Sequence, residues 1–391
     1  MRLLYITPRF PFPLLRGDQV VPFHRLRILS RRHEVTLLSL YEKKSELEGL
    51  DSLRPFCKVI HTVRLPRWRS AVNVAIKGPY SSLPLQALYY QSNPFKKYID
   101  ELLAENSFDL IHAYMLRVAP YLSHVTVPKI LELIDSMQLN LERRLAMEGI
   151  PKRMLLREEL RRIVNYERRI GEYFDHLIVV SEQDRLLIPD QKVSVIPLGV
   201  DTGLFKPDRK ESKEHKIIFS GNMGYLPNIN AVKWFVGECF PVIRKEVPSV
   251  SLIIAGANPS KGVCELARQD GITVTGFFQS MPETLAQASI AIAPMQSGSG
   301  MQFKILEAMA CGLPVVTTTL GLGDIKAKAE EEIMIADTAE KFAKTVVELL
   351  RSPESAGRLG RNARNFVMHH HNWEVAATKV EEIYSKVIYA G

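Results

Sequence analysis

The chain has 391 residues, of which 46% are hydrophobic and 24% charged. This is ordinary globular usage and excludes wholesale disorder or a low-complexity class; at roughly 100–200 residues per domain the length predicts two domains. Net charge is +8 and unevenly placed: residues 1–180 carry 28 Lys/Arg against 19 Asp/Glu, and residues 181–391 carry 23 against 24. A basic half of this kind suits nucleic acid, an anionic membrane surface or an anionic ligand.

No apolar run approaches the about 18 residues of a spanning helix. RLLYITPRFPFP at the N-terminus meets Arg and Pro too early for a signal-peptide core and reads instead as a buried strand. Cys57, Cys239, Cys264 and Cys311 lack the close spacing of a zinc site, so reduced cytosolic thiols are expected and no metal is predicted.

In chain order, Arg2–Thr7 reads as a strand, Val20–Ser30 as a helix, and His33–Leu40, Val59–Leu65, Phe108–Ala113, Lys129–Ile134 and His176–Val180 as further strands. Short apolar runs bracketed by amphipathic stretches predict a mostly parallel sheet covered on both faces. Asn140–Glu172, dense in Arg and Glu with spacings such as Glu158/Arg162, predicts one long solvated helical segment. Val193–Pro197 is a last short strand, and the polar Asp201–Lys216 predicts a linker. The rhythm then repeats: strands at Lys216–Ser220, Ser251–Ala255, Thr273–Gly276, Ile290–Ala293 and Pro314–Thr317, with helices at Asn230–Val247 and Phe303–Cys311. Two α/β domains follow, with ligand sites expected beyond the carboxyl ends of their strands.

The first strand runs into a Pro-rich loop with one glycine, Gly17, and not into G-x-G-x-x-G, which argues against a dinucleotide site. Gly17 before a helix either lets backbone amides approach an anion or simply makes the turn. Asp18 and Asp135 lie at loop ends, where each either orients acceptor hydroxyls or caps a helix. The richest segment starts at Ala293, APMQSGSGMQFKILEAMACGLPVVTTT. There a glycine loop (Gly298, Ser299, Gly300) leads into a helix carrying Lys304 in its first turn and Glu307 one turn later. A glycine loop at a helix N-terminus suits a diphosphate, Lys304 adds positive charge, and Glu307 can accept hydrogen bonds from ribose hydroxyls. The spacing is too short for a Walker loop.

LEAMACGLPVV resembles the C-terminal signature of the family 4 glycosyltransferases, and the resemblance covers nearly the whole chain. RFPFPLLRGDQVVPFHRLRILSRRHEV, FDLIHA and VIPLGVDTGLFKP resemble the family's N-terminal domain and linker. IIFSGNMGYLPNINAVKWF, LIIAGANPS, VTGFF and IAIAPMQSGSGMQFKILEAMA resemble a subgroup of sugar transferases associated with bacterial exopolysaccharide clusters.

The resemblance implies a GT-B fold: two Rossmann-like, doubly wound parallel-sheet domains facing a central cleft. Their bounds would be 1–200 on the acceptor side and 201–371 on the donor side, with 372–391 as a helix returning to the N-terminal domain. It implies a retaining, metal-independent transfer from a nucleotide-diphosphate sugar, usually a UDP-sugar, to a saccharide or lipid-linked acceptor, with no cofactor. Carried over by position, Glu307 is the ribose-binding second glutamate of the E-x7-E motif, and the backbone of Gly300, Met301 and Gln302 lies near the donor sugar or diphosphate. Gly17 belongs to the loop closing over the donor, Gly221 with Asn222 opens the C-domain phosphate loop, and Phe277 and Phe278 lie where the family holds the base. His112 and Tyr114 share the segment of a cleft histidine, so His112 and Lys304 are the candidate catalytic residues and Tyr114 joins Asp18 and Asp135 on the acceptor side. Three positions depart from the pattern: Ser299 replaces the first glutamate, the usual Arg and Lys fall at Asn222 and Pro227, and the N-G-V-D segment begins with Leu198. Lys304 is the candidate replacement for the missing charge.

A nonhydrolysing sugar-nucleotide epimerase and a non-catalytic nucleotide-sugar binder are the competing readings. Nucleic acid is not an expected partner, because no recognised binding module accompanies the charge. The basic half instead suits a cytoplasmic protein peripheral on the inner face of a membrane.

Overall fold

The computed structural model describes residues 1–14, 17–134, 136–145, 149–188, 192–207, 215–276, 280–297 and 301–389. The chain divides into two compact units, Met1–Pro197 with Ala376–Gly391, and Leu198–Val375.

The first unit is built on a seven-stranded sheet: β1 (Arg2–Thr7), β2 (Glu34–Tyr41), β3 (Val59–Arg64), β4 (Leu110–Tyr114), β5 (Lys129–Glu132), β6 (His176–Val179) and β7 (Val193–Val195). Every described pairing is parallel and the order is β3-β2-β1-β4-β5-β6-β7. The central strands are buried along nearly their whole length, as strands covered by helices on both faces must be. The order runs away from β1 in both directions, so the topological switch point lies between β1 and β4. The helix Trp373–Tyr389 brings Glu381 and Tyr384 into this unit, where Glu381 pairs with Arg32 at 2.7 Å.

The second unit holds β8 (Lys216–Ser220), β9 (Ser251–Ala255), β10 (Ile272–Gly276), β11 (Ile290–Ala293), β12 (Val315–Thr317) and β13 (Met334–Ile335). These also pair in parallel, in the order β10-β9-β8-β11-β12-β13, with the switch point between β8 and β11. Its core joins Ile217, Phe219, Phe235, Ile254, Ile292 and Phe342.

Two helical expectations change. The segment read as one long helix is two, Met137–Leu145 and Ile150–Arg169; Gly149 just before the second and Pro151 in its first turn favour a break and a new helix start. The helix expected from Asn230 begins earlier, at Leu226 behind Tyr225, and passes through a π turn at Phe235–Cys239 before ending at Glu246. Part of the expected linker, 208–214, lies outside the described residues.

Candidate active site

In the second unit the loops leaving β8 and β11 flank the switch point. Gly221 follows β8 with φ at 151°, and a Cβ there would stand 2.8 Å from Asn228 Nδ2 and 3.2 Å from Lys304 Cε. Gly256, after β9 with φ at 159°, lies against it: a Cβ there would fall 1.6 Å from the Gly221 carbonyl oxygen. These glycines let the backbone segments after β8 and β9 meet, and let the Asn228 and Lys304 side chains lie against them, where a Cβ would push them apart. The Gly221 amide donates to Ala255 O at 2.9 Å and the Met223 amide to Ala257 O at 2.8 Å. Asn222 Oδ1 accepts from the Gly224 amide at 2.9 Å, so Asn222 shapes the turn into the helix Leu226–Trp234.

Lys304 enters this loop from the first turn of the helix Phe303–Ala310. Its Nζ donates to Asn228 Oδ1 at 2.6 Å, lies 3.3 Å from Gln302 Oε1 and 3.6 Å from Met295 Sδ, and stands 4.9 Å from the centre of the Phe219 ring. Among the described residues its hydrogen-bond contacts are neutral, and no carboxylate is within ion-pair distance. Desolvation lowers the Lys304 ammonium to about 7, against a smaller opposing pull from Glu307. Desolvation likewise raises the Glu307 carboxyl to about 7, against the pull of Lys304. A lysine and a glutamate one turn apart are thus both poised near neutrality, the condition that marks functional clefts. Met301 is buried and Gln302 half-buried at the start of the same helix. Gly298, Ser299, Gly300, Phe277 and Phe278 lie outside the described residues.

In the first unit the corresponding loops leave β1 and β4. Gly17 opens the helix Gly17–Leu29, and the Tyr114 hydroxyl lies 3.5 Å from its carbonyl oxygen. Asp18, in the first helical turn, pairs with Arg9 and lies 3.7 Å from Arg117 Nη1. Arg9 Nη2 donates to the Tyr90 hydroxyl at 3.1 Å, while Arg117 lies over the Tyr90 ring at 4.9 Å. A small pocket of about 30 Å3 adjoins this cluster, lined among others by Arg9, Glu42, Glu46, Arg67, Tyr89 and Tyr90. Charged groups of both signs with tyrosine faces suit a hydroxyl-rich ligand. Met115, following β4, holds φ at 69° and ψ at 148°, a region essentially reserved for glycine, and such strain gathers at functional sites.

His112 sits one layer deeper and is wholly buried. Its Nε2 lies 3.0 Å from Glu132 Oε2, its Nδ1 2.5 Å from the Tyr384 hydroxyl, and its ring 4.4 Å from that of Tyr5. Glu132 in turn receives Arg25 Nη2 at 2.8 Å and Nε at 3.2 Å. Burial lowers His112, which is held neutral. Burial alone would raise Glu132, but Arg25 and His112 outweigh it and hold the carboxylate at about 2. His112 therefore has no exposed atom to offer a substrate; it braces β4 against the C-terminal helix. Asp135 lies outside the described residues.

Sequence reasoning passed over Asn228, which bridges Asn222 O (2.9 Å) and Lys304. Its signal was an asparagine in the first turn of a helix, a residue that prefers local hydrogen bonds to helix interior. It also passed over Arg9, Arg117 and Tyr90, which carry no motif. Among the described residues no group of three or more His, Cys, Asp or Glu side chains is arranged to hold a metal ion, and no helix is long and apolar enough to cross a membrane.

The fold is that of GT-B glycosyltransferases, two doubly wound α/β units, and residues 214–352 match the family described as Glycosyl transferases group 1. A Klebsiella pneumoniae protein described as an uncharacterized 44.6 kDa protein in the cps region is 23% identical over 95% of this chain and 96% of its own length. The GDP-mannose-dependent alpha-(1-6)-phosphatidylinositol monomannoside mannosyltransferase of Mycobacterium tuberculosis is 26% identical over 55% of this chain and 63% of its own. Among solved structures, Anabaena HepE in complex with UDP is similar with a TM-score of 0.69 at 13% identity, over 99% of this chain and 100% of that one; a likeness at that identity speaks for the fold.

Proposed function

We propose that the protein is a retaining glycosyltransferase. It would move a sugar from a nucleoside-diphosphate donor, a UDP-sugar, to a saccharide or lipid-linked acceptor in the synthesis of a bacterial polysaccharide or glycoconjugate. The observation that carries the reading is the Lys304–Glu307 pair at the β8/β11 switch point, inside the segment that matches the group 1 family. The diphosphate would lie at the N-terminus of the helix Phe303–Ala310, where backbone amides and the helix dipole favour negative charge. Lys304 would take up a proton to meet the diphosphate in place of a divalent cation, and Glu307 would accept from the ribose hydroxyls. As the bond from the anomeric carbon to the diphosphate oxygen breaks, the acceptor oxygen would bond to that carbon on the same face, and the leaving phosphate oxygen would take the acceptor's proton. The chain's part is orientation and stabilisation of the leaving group. No second carboxylate is needed, in contrast to retaining glycosidases. In the first unit, Asp18 and the pocket beside Arg9 would orient the acceptor hydroxyls; Tyr114, wholly buried with its hydroxyl against the Gly17 carbonyl, would hold the Gly17 turn and not touch the acceptor.

The test is product analysis after incubation with UDP-sugars and with GDP-mannose, each with and without a lipid-diphosphate-linked saccharide. Transfer with an unchanged anomeric configuration, or slow donor hydrolysis without acceptor, is expected with a UDP-sugar. Turnover with GDP-mannose alone would replace the base, a choice favoured by the mannosyltransferase relative. An epimerised donor, or binding without turnover, would overturn the reading.

A further inference from the structure

The helix Arg67–Lys77 (RWRSAVNVAIK) follows β3 and is inverted. An ordinary surface helix turns its apolar stripe to the core. Here the inward positions are mostly polar: Ser70 is buried, Asn73 Nδ2 donates to Gln91 O at 2.7 Å, and Val74 is the one half-buried apolar side chain on that face. The outward positions are apolar. Trp68, Val72 and Ile76, at four-residue spacing on one face, are 63%, 44% and 65% exposed, and Tyr80 just beyond the helix is 92% exposed. Ala71 and Ala75 fill the same face and are also exposed. Arg67 and Arg69 flank the stripe on opposite sides, with the Arg69 guanidinium 5.2 Å from the Trp68 ring centre, and Arg64 and Lys77 lie exposed at its two ends. A contiguous apolar face rimmed by charge marks an interaction surface and not incidental exposure.

Charge identifies the occupant. Residues 52–99 contain eight Lys/Arg and no Asp or Glu; Arg54, Lys58, Arg67 and Lys97 pair with carboxylates outside that stretch, which leaves Arg64, Arg69 and Lys77 around the stripe without an ion pair among the described residues. A second copy pairing about a two-fold axis would set these arginines against their own counterparts, which like-charge repulsion disfavours. An anionic lipid surface meets every feature: an apolar strip to enter the acyl boundary, Trp and Tyr at headgroup level, and arginines against phosphate. We propose that the face formed by Trp68, Val72, Ile76 and Tyr80, with Arg64, Arg69 and Lys77 around it, docks the protein on an anionic membrane surface. This narrows the charge of the whole basic half to one helix, and it does not depend on the transfer reading. Arg67 and Ser70 of the same helix line the pocket beside Arg9, so docking sets that pocket within about 10 Å of the headgroups, one helix diameter.

Flotation of the full chain with phosphatidylcholine vesicles, with and without phosphatidylglycerol, tests the proposal without any sugar donor. The protein is expected to float with the anionic vesicles only, and progressively less as salt is raised. Trp68→Ser/Ile76→Ser should abolish flotation. Arg69→Glu should weaken it at least about fivefold, the effect of one lost basic residue near an anionic surface. All three positions are exposed, so thermal unfolding should match wild type. Flotation indifferent to lipid charge, equal flotation of the double variant, or a wild-type dimer that the double variant splits while neither binds vesicles would each overturn the proposal.

Discussion

The two switch points present the same residue type in opposite states. In the first unit Glu132 is buried beside Arg25 and His112, and its carboxylate is held at about 2. In the second, Glu307 is half-buried, and desolvation pushes its carboxyl up to about 7. Burial acts on both in the same direction, towards the neutral acid. The difference is the partner: Arg25 forms a multi-point contact with Glu132 at 2.8–3.3 Å, whereas Lys304, itself lowered to about 7, spends its hydrogen bonds on neutral atoms. One cluster is electrostatically complete and holds strands together. The other is left incomplete, and under the proposed function a diphosphate would supply what it lacks. Completeness, more than burial, separates the two carboxylates.

The largest effect should come from breaking the complete cluster. Glu132→Gln leaves the buried Arg25 without its carboxylate, and removing one member of a buried pair costs about 3–5 kcal/mol; chemical unfolding followed by tryptophan fluorescence reads it. The double variant Arg25→Met/Glu132→Leu should recover most of that loss, because both charges leave together. Since the fold depresses Glu132 from 4.5 to about 2, its contribution is fully present above about pH 4.5 and is lost as the pH falls through about 2. The gap between wild type and Glu132→Gln should close over that window, and a gap independent of pH would remove the charge from the explanation.

Lys304→Ala should do the reverse: little change in unfolding, but UDP affinity lowered about tenfold to a hundredfold, the worth of one charge-assisted hydrogen bond. Calorimetric titration with UDP measures it. Near-normal affinity would deny that Lys304 replaces the cations absent at Asn222 and Pro227.

Much of this contrast was legible in residue order only at the second switch point. The loop, Lys304 and Glu307 lie within ten residues and repeat a local grammar of strand, glycines and helix. The Arg25–Glu132 contact spans 107 positions, and no local pattern announces that a helix arginine will meet a strand glutamate. Tyr384 reaches His112 across 272 positions, for the same reason. The strands were readable because a parallel strand buried on both faces is an apolar run. Met334–Ile335 was missed because a two-residue edge strand leaves no period to detect.

The smallest effect is the most discriminating, because it asks whether the second cluster is incomplete in the free protein. Near pH 8, with both groups at about 7, Lys304 is mostly neutral and Glu307 mostly ionised. A bound diphosphate disfavours that state and restores the ammonium, so UDP binding should take up about one proton. Calorimetry in buffers of different ionisation enthalpy reports the uptake directly. It should shrink at pH 6, where Lys304 already carries its proton, and affinity should fall as pH rises through 7. Lys304→Arg keeps the charge at every accessible pH, so its binding should lose most of the uptake while staying tighter than that of Lys304→Ala. If wild type binds UDP with no proton uptake at pH 8, the ammonium is already complete without the donor, and the two switch points differ in composition but not in kind.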